Sequence, residues 1–565
     1  MGATRAFRLS AEVRELLDTP LESTSGEELI RLILRADVDL LWNGGIGTYV
    51  KGSTETHQDV ADKSNDRVRV DGSELRCRVF GEGGNLGITM KGRVEYAARA
   101  GRINLDAIDN SGGVDLSDHE VNLKILLQSE VQSGQLQPEA RNELLREMGD
   151  EVCDKVLANN FGQSLGISLD AVRSQGDAFA FAHATDQLRA RFGFSRKREH
   201  LPSGVDVVAT RQERRLGLYR PELAKLTSYS KMLAFDAISA HPLGSREEAR
   251  PWLDAYFPGR VVSEHSDAID AHMLYDAIAA TVQVNHIVHH AGLTFFPRMM
   301  AATDRSAPDV AVAWLMAEEY LGAREVRDEI LSGAKLSASA EYFALIAVED
   351  ALARTARWFL DTRAERLTLG VRAQLRPWAA IIERIRTRTR KVLPADACGH
   401  LDEEAQRGIA AGLSPELAQR VATLRFESHA PLIAVLARAV RREAEDVVGL
   451  WFEVGYGMRA LPMVDAVSTH AYRDAWDSMA IASIERGLFR SLTDLAAWLP
   501  IGAPETTTAS ALERVLQKSR GLGRLRDELD TAVRSRLPVS GMFVLGERLS
   551  REVAAVTRGK STEDE

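Results

Sequence analysis

The sequence contains only three cysteines, Cys77, Cys153 and Cys398, and they lie far apart. No CxxC pair occurs, so neither a zinc knuckle nor a disulfide framework is indicated. No uninterrupted apolar run of about 18 residues occurs either, so the sequence predicts no membrane-spanning helix. The N-terminal segment alternates charged and apolar residues and lacks the apolar core of a signal peptide. Together these absences predict a cytoplasmic protein that needs no membrane.

The sequence also lacks a strong excess of charge of one sign. Charged residues make up 27% of the chain, and the formal net charge is −10. This balance argues against a protein built to bind a polyanion, so we expect no nucleic-acid partner. The arginine-rich stretch at residues 384–391 fits a solvated helix face better. With 565 residues, 45% of them hydrophobic, the chain can build about three or four domains.

The first part of the chain has the pattern of an α/β fold. Three short segments read as strands, Asp37–Trp42, Arg76–Phe80 and Arg102–Ile108, and residues 94–100 read as a short helix. Each predicted strand is followed by a turn rich in glycine and asparagine. Strand, turn, helix and strand in succession indicate a parallel sheet. Ligands of such sheets bind beyond the carboxyl ends of the strands. The three turns therefore predict a ligand crevice, and the alternative is three tight turns without a ligand.

After residue 117 the pattern is helical almost to the end of the chain. Ser117 with Glu120 reads as a capping box, which predicts a helix start at Ser117. Its hydroxyl would either cap that helix or bind an anionic substrate there, and the pattern alone favours the cap. His286, His289 and His290 share a helical segment, but the glutamate of an HExxH motif is missing. We therefore interpret this segment as a packed helix end and expect no metal site.

Long stretches of the sequence are similar to one family. The stretches are DLLWNGGIGTYVKGSTETHQDVADKSNDRVRVDG, ELRCRVFGEGGNLGITMKGRVEYA and AIDNSGGVDLSDHEVNLKILL, with LYRPELAKLTSYSKMLAFDAI and VNHIVHHAGLTFFPRM further on. They resemble the large NAD-specific glutamate dehydrogenases of bacteria. The resemblance is strongest from residue 28 to 165 and looser after residue 400.

The resemblance implies a fold that is α/β followed by all-α. A partial Rossmann-like parallel sheet, the second half of an NAD-binding domain, would precede a long helical C-terminal region. We expect this distal half of the NAD-binding domain, with a connecting helix, at residues 1–165. The first and second parts of the helical C-terminal domain would follow at 166–395 and 396–557, and a disordered tail at 558–565. The implied reaction converts L-glutamate, NAD⁺ and water to 2-oxoglutarate, ammonium and NADH. The resemblance also implies a homo-oligomer.

The three turns match turns of the family, and this match implies roles for individual residues. The resemblance implies that NAD contacts the residues of the three turns, namely Asn43, Gly44, Gly45, Gly83, Gly84, Asn85 and Asn110. It implies that the substrate contacts Asn110, Gly112, Gly113 and Ser117. Ser117 matches the serine that holds the side-chain carboxylate of glutamate in the family. The resemblance therefore adds a ligand role to the predicted cap.

The chain also departs from the family pattern. The catalytic lysine and aspartate are not recognisable, and neither is the first half of the Rossmann domain with its pyrophosphate turn. We therefore expect a fragment that is inactive without a missing N-terminal part of the enzyme. One alternative is a non-catalytic helical module that regulates or assembles a partner. Another is a dehydrogenase of a different amino acid, although a serine at position 117 favours a dicarboxylic substrate.

Overall fold

The computed structural model describes residues 6–202, 211, 216–332, 336–362, 372–468, 475–499, 507–535 and 537–559. The chain divides into two compact units, Met1–Thr294 and Phe295–Glu565. The domain boundaries expected at residues 165 and 395 remain predictions. Residues 560–565 of the predicted tail lie outside the described residues. The predicted fold class, a small α/β part followed by helices, is confirmed.

The first unit contains six short strands in three pairs. They are β1 (Ala6–Arg8), β2 (Ser23–Ser25), β3 (Leu40–Asn43), β4 (Val50–Lys51), β5 (Val70–Asp71) and β6 (Val79–Glu82). The first two strands pair antiparallel, whereas β3 pairs with β6 and β4 with β5 in parallel. The register of the central pair runs from Leu40↔Val79 to Asn43↔Glu82. Both of its strands therefore end at the same edge of the sheet.

The predicted third strand, Arg102–Ile108, is wrong for most of its length. Only Arg102 pairs with the sheet, through a parallel bridge to Val79. A short helix begins four residues later, at Asp106, and helical backbone cannot continue a strand ladder. The second predicted strand is shifted, since β6 runs to Glu82 and includes Gly81.

The helices of the first unit surround this sheet and extend well beyond it. They are α1 (Ala11–Leu16), α2 (Gly26–Leu34), α3 (His57–Val60), α4 (Met90–Ala98), α5 (Asp106–Asp109), α6 (Ser111–Gln132), α7 (Pro138–Glu147), α8 (Gly149–Gly176), α9 (Ala178–Phe192), α10 (Arg196–Glu199), α11 (Arg220–Ala240), α12 (Arg246–Tyr256), α13 (Gly259–Glu264), α14 (Ser266–Asp270) and α15 (Tyr275–Ala291). Pro221 stands in the first turn of α11, where a helix tolerates the missing N–H of proline.

Three apolar cores hold the first unit together. Phe80, Ile88 and Tyr96 bury the sheet against α4. A second core packs α4, α5, α8, α9 and α11, and a third packs α6 and α8 on the helices from α12 to α15. Burying a large apolar side chain such as that of Phe80 or Ile88 stabilises the fold by about 1.5–3 kcal/mol. The helix α8 belongs to two of these cores, so it fixes the start of α6 relative to α11 and α15.

The second unit is helical throughout its described residues. Its helices are Phe295–Thr303, Ala307–Leu321, Ala323–Ser332, Ala338–Thr362, Arg372–Val392, Ala395–Ala411, Pro415–Glu427, Ala430–Val440, Val448–Gly457, Ala460–Ser468, Ala475–Trp498, Thr508–Lys518, Arg520–Ser535 and Val539–Thr557. Large aromatic side chains such as Trp314, Phe426 and Trp451 are completely buried. Among the described helices, none combines the length and apolar character that crossing a membrane requires.

Candidate functional site

The first two glycine turns meet at the carboxyl end of the β3–β6 pair. The backbone N–H of Gly83 donates to the carbonyl oxygen of Asn43 at 2.9 Å, which extends the ladder by one residue. The indole of Trp42 lies directly on Gly81 and Gly83. A Cβ added at either glycine would stand 2.5 Å or 2.7 Å from an indole atom. These two positions therefore need glycine because the indole leaves no room for a side chain.

A second contact brings the backbones of the two turns together. A Cβ at Gly84 would lie 2.7 Å from the carbonyl oxygen of Gly45, and a Cβ at Gly87 would collide with the side-chain amide of Asn43. That amide nitrogen is buried and has no hydrogen-bond partner among the described residues. Gly44 and Gly45 are exposed beside it. The turns therefore form a tight backbone cradle with one buried donor available.

The third turn joins this cradle through a side-chain contact. Asn110 Nδ2 donates to Asn85 Oδ1 at 2.5 Å, although the two residues are 25 positions apart. Asn43, Asn85 and Asn110 thus gather at the same sheet edge, as predicted. Asn85 is exposed and the other two are partly buried. An amide offers both donors and acceptors, so the cluster can bind a neutral polar group without adding charge.

The prediction of a helix start at Ser117 is wrong. Helix α6 begins at Ser111, directly after Asn110, so Gly112 and Gly113 belong to its first turn and Ser117 to its second. Two side chains of α8 stabilise this helix start, because Asn160 and Gln163 donate to the Ser111 hydroxyl at 2.8 Å and 3.2 Å. Glu120 pairs with Lys124 on the same helix instead of closing a capping box.

Ser117 nevertheless lies on the side of α6 that Asn110 occupies. Seven residues correspond to almost two helical turns, so the two positions share a face and stand about 10 Å apart along the axis. Ser117 is exposed, and a Cβ added at Gly113 would have no neighbour within 4 Å. The first two turns of α6 therefore present a hydroxyl and accessible backbone next to the asparagine cluster.

A buried ion pair supports the turns from behind. Glu82 is completely buried, and Arg93 donates to its two oxygens through Nε and Nη2, both at 2.8 Å. The same carboxylate accepts the backbone N–H of Ile88 at 3.2 Å. Burial raises the pKa of Glu82, and the Arg93 guanidinium opposes that rise. Asp106 accepts the N–H of Leu86 at 2.8 Å, so carboxylates hold both ends of the segment after Asn85.

A second polar network, which the sequence did not predict, reaches the turns from α11. Arg220 Nε donates to Asn104 Oδ1 at 2.9 Å, and Asn104 Nδ2 donates to Asp109 Oδ1 at 2.8 Å. The other oxygen of Asp109 accepts the backbone N–H of Glu82 at 3.2 Å. Burial raises the pKa of Asp109, whereas these hydrogen bonds lower it. The only sequence signal was the RPEL segment, which reads as an ordinary helix start.

The histidine segment packs inside the helical layer. His289 is buried, and its Nε2 lies 2.7 Å from Lys231 Nζ. The rings of His286 and His290 lie edge to face, 5.0 Å apart. Among the residues that the structure describes, no group of three or more histidine, cysteine, aspartate or glutamate side chains could hold a metal ion. All three cysteines are free.

Two family models match the chain. The model described as bacterial NAD-glutamate dehydrogenase, catalytic domain, matches residues 2–170. The model described as glutamate dehydrogenase, C-terminal, matches residues 215–544, which is more than half of the chain. The first match contains the three turns, and the second contains α11, α15 and the helices that follow.

Proteins named NAD-specific glutamate dehydrogenase are similar over much of the chain. That of Halomonas elongata is 32% identical over 479 residues, which cover 85% of this chain and 29% of that protein. That of Mycobacterium tuberculosis is 33% identical over 538 residues, 93% of this chain and 33% of that protein. That of Pseudomonas aeruginosa is 40% identical over 319 residues, 56% of this chain and 20% of that protein. The chain spans no more than about a third of the length of these relatives, and it belongs to the bacterial NAD-glutamate dehydrogenase family.

Proposed function

We propose that this chain supplies the distal half of the NAD-binding domain, and the helical region after it, of an NAD-dependent glutamate dehydrogenase. The proposed reaction converts L-glutamate, NAD⁺ and water to 2-oxoglutarate, ammonium and NADH. The observation that carries the proposal is the meeting of Asn43, Asn85 and Asn110 beyond the carboxyl ends of parallel strands. Open α/β sheets bind their ligands at this position.

The residues of the cradle fit the nicotinamide end of NAD. The buried amide nitrogen of Asn43 is a donor without a partner among the described residues, and Asn85 and Asn110 add further amide groups. Gly44 and Gly45 are exposed and carry no side chain, so a flat ring can approach their backbone closely, whereas Gly83 and Gly84 let the two turns pack together. The chemistry that bound NAD⁺ would supply is that of an acceptor for the hydride of the glutamate α-carbon. The task of the chain is to orient the two reacting groups.

The start of α6 fits a dicarboxylic substrate. Its first backbone N–H groups and the helix dipole favour a negatively charged group, and the Ser117 hydroxyl can donate to a carboxylate. Gly113 leaves room for the substrate above the first turn, whereas Gly112 faces Val156 of α8. Asn110 stands between the two proposed ligands, because it contacts Asn85 and immediately precedes α6. We assign glutamate contacts to Asn110, Gly112, Gly113 and Ser117.

A missing N-terminal part would complete the site. Within the described residues, β3 pairs only with β6, so its other edge can accept a further strand. Apolar side chains around the cradle are exposed: Trp42 (58%), Leu86 (65%) and Val114 (65%). We propose that a preceding segment of the long polypeptide covers them and brings the catalytic lysine, the catalytic aspartate and the pyrophosphate turn. The chain alone would then be inactive, and the complete enzyme would be a cytoplasmic homo-oligomer.

Complementation tests this proposal. NADH formation from glutamate is measured for the chain alone and for the chain mixed with a purified N-terminal part of the same enzyme. We expect turnover only in the mixture. In that mixture Ser117→Ala should raise the KM for glutamate about tenfold to a hundredfold, because a hydrogen bond to a carboxylate is lost. Ser129→Ala is the control, since the Ser129 hydroxyl donates to Leu126 on the same helix.

Two outcomes would contradict the proposal. Turnover by the chain alone would show that its own residues supply the catalytic groups. A stable complex of the two parts without turnover would instead favour the non-catalytic helical module. An unchanged KM in Ser117→Ala would remove the substrate assignment of α6 and leave the cofactor cradle unaffected.

A further inference from the structure

A side chain replaces a strand next to the second turn. On the side of β6 that faces away from β3, the backbone N–H of Phe80 donates to the carbonyl oxygen of Arg102 at 3.0 Å. The N–H of Glu82 points to the same side, because it lies two residues further along the strand. The chain that carries Arg102 has by then continued into α5, and the acceptor is the Asp109 carboxylate at 3.2 Å. Asp109 therefore continues the hydrogen bonding of the sheet at the edge where the candidate site lies.

The short helix α5 holds the second turn, residues 83–85, at both ends. Asp109, the last residue of α5, accepts the N–H of Glu82 before the turn. Asp106, its first residue, accepts the N–H of Leu86 after the turn at 2.8 Å. The position of the two carboxylates therefore determines where the second turn lies relative to the third turn, which follows α5 directly.

The two carboxylates of α5 have different cationic neighbours. Arg93 of α4 lies 3.5 Å from Asp106. The cation on the side of Asp109 is Arg220 of α11, and its contact runs through Asn104. Arg220 Nε donates to Asn104 Oδ1 at 2.9 Å, and Asn104 Nδ2 donates to Asp109 Oδ1 at 2.8 Å. A reversed amide would turn its donors to the guanidinium and its acceptor to the carboxylate, so Arg220 fixes the orientation in which Asn104 holds Asp109.

Arg220 is itself anchored to α8. Its Nη1 donates to Ser168 Oγ at 2.7 Å, and its Nη2 donates to the carbonyl oxygen and the hydroxyl of Ser164 at 3.3 Å and 3.2 Å. The same helix holds the third turn, because Asn160 Nδ2 donates to the carbonyl oxygen of Ile108 at 2.8 Å. The guanidinium therefore connects the support of the second turn to the helix that supports the third turn.

We propose that Arg220 is a positioning residue of the candidate site, which acts through Asn104 and Asp109. It sets the distance between the second and third turns, and hence the geometry in which Asn85 and Asn110 meet. Arg220 lies in the region that matches the C-terminal family model, whereas the turns lie in the region that matches the catalytic-domain model. The proposed NAD-binding half would thus need α11 to keep its shape.

The consequence for catalysis rests on the proposed function. If the nicotinamide end of NAD binds between the second and third turns, loss of Arg220 should raise the KM for NAD⁺. The KM for glutamate should change less, because the proposed glutamate contacts follow the start of α6, which Asn160 and Gln163 of α8 hold directly. A loss of stability alone would not separate the two KM values.

Hydrogen exchange of the 565-residue chain tests the positioning role without an assay of turnover. In Arg220→Met, exchange of the Glu82 amide should accelerate about threefold to tenfold, because its acceptor is no longer fixed and network residues typically have effects of this size. The Leu86 amide is the internal reference, since its acceptor, Asp106, lies beside Arg93 instead. An equal acceleration at Leu86 would show that Arg220 only stabilises the fold, and it would overturn the inference.

A double-variant comparison tests whether Arg220 acts through Asn104. Asn104→Ala removes a smaller side chain and should also accelerate exchange of the Glu82 amide. The double variant should exceed the larger single effect little, because both substitutions break one chain of contacts. Additive effects, or an unchanged Glu82 amide in Arg220→Met, would overturn the inference.

Arg250→Met is the matched control. Arg250 of α12 donates to Asp254 and Asp270 at 2.6 Å and 2.8 Å, and its side chain is likewise mostly buried, but its partners lie on α12 and α14. The variant should leave exchange of the Glu82 amide unchanged, and an acceleration equal to that of Arg220→Met would contradict a specific role.

The complementation mixture tests the consequence for the cofactor. Arg220→Met should raise the KM for NAD⁺ about threefold to tenfold, and the KM for glutamate less. Equal rises would overturn the assignment of the space between the turns to NAD. A mixture that forms no NADH with the unaltered chain would contradict the proposed function alone, because hydrogen exchange decides the positioning role separately.

Discussion

Buried ion pairs occur in both units, but their structural roles differ. In the first unit the Glu82–Arg93 pair also accepts the N–H of Ile88, and so it connects a strand, a turn and α4. In the second unit Arg327 joins two glutamates, Glu318 and Glu349, on separate helices. The three side chains of that triad are each less than a tenth exposed. The first pair determines where a loop goes, whereas the second determines how helices pack.

The largest effect is expected from the triad. Arg327→Met leaves two buried carboxylates without their shared guanidinium and should destabilise the second unit by about 3–5 kcal/mol. The measurement is urea denaturation, followed by hydrogen exchange in residues 307–332. Exchange in residues 83–88 should not change. Arg78→Met is the control, because the Arg78 side chain is 74% exposed and its pair with Asp39 should contribute no more than about 1 kcal/mol. Equal losses in both variants would contradict this interpretation.

Arg93→Met sharpens the comparison. The substitution should lower the free energy of unfolding by about 3 kcal/mol, because Glu82 remains buried without its partner. In contrast to the triad variant, it should accelerate amide exchange at Leu86 and Ile88, whose N–H groups bind Asp106 and Glu82. If exchange accelerated uniformly over the first unit instead, the pair would stabilise the fold without positioning the turn.

A smaller effect is expected where the two turns touch. Gly84→Ala places a methyl group 2.7 Å from the carbonyl oxygen of Gly45, so the backbones must separate at a cost of about 1–3 kcal/mol. Gly113→Ala is the control, since that position is helical and open, and alanine should stabilise it by up to about 1 kcal/mol. Thermal denaturation distinguishes the two, and a neutral Gly84→Ala would show that the cradle tolerates separation.

The smallest effect, taken over one pH unit, is the slope of stability with pH. The folded-state pKa of Lys231 is about 7, because burial lowers it from the 10.5 of a solvent-exposed lysine. Between these values the unfolded chain binds one more proton than the folded chain, so the Lys231 contribution to stability rises with pH, by at most about 1.4 kcal/mol per unit. Below pH 7 its destabilising effect is complete and constant. The wild type should therefore gain stability relative to Lys231→Met from pH 7 upwards. Parallel curves would contradict the shifted pKa.

The sequence predicted the parallel strands and the gathering of the three asparagine turns, because strand ends and turn residues are local signals. It misplaced the ends of the second strand, since Gly81 looks like a turn residue until Trp42 packs on it from β3. It also missed the start of α6. There the apparent loop Ser111–Gly113 becomes helical because Asn160 and Gln163, about fifty positions away, bind its first hydroxyl.

The supporting networks could not be predicted at all. Arg220 and Asn104 are 116 residues apart, and neither carries a motif that signals a partner. Lys231 and His289 are 58 residues apart and belong to helices whose sequences resemble ordinary core helices. Such pairs depend on how helices cross, which a single sequence does not specify. The turns that form the candidate site could therefore be predicted from the sequence, whereas the networks that support these turns could not.

The paired amides of Asn85 and Asn110 have a consequence for recognition. Their mutual contact uses one donor of Asn110 and the oxygen of Asn85. The Asn85 nitrogen can therefore donate to a bound group, and the Asn110 oxygen can accept from it. A group with one acceptor and one donor side by side, such as a primary carboxamide, matches this edge, whereas a carboxylate lacks the donor. Because amides do not ionise, this edge itself offers the same donor and acceptor in acid and in alkali.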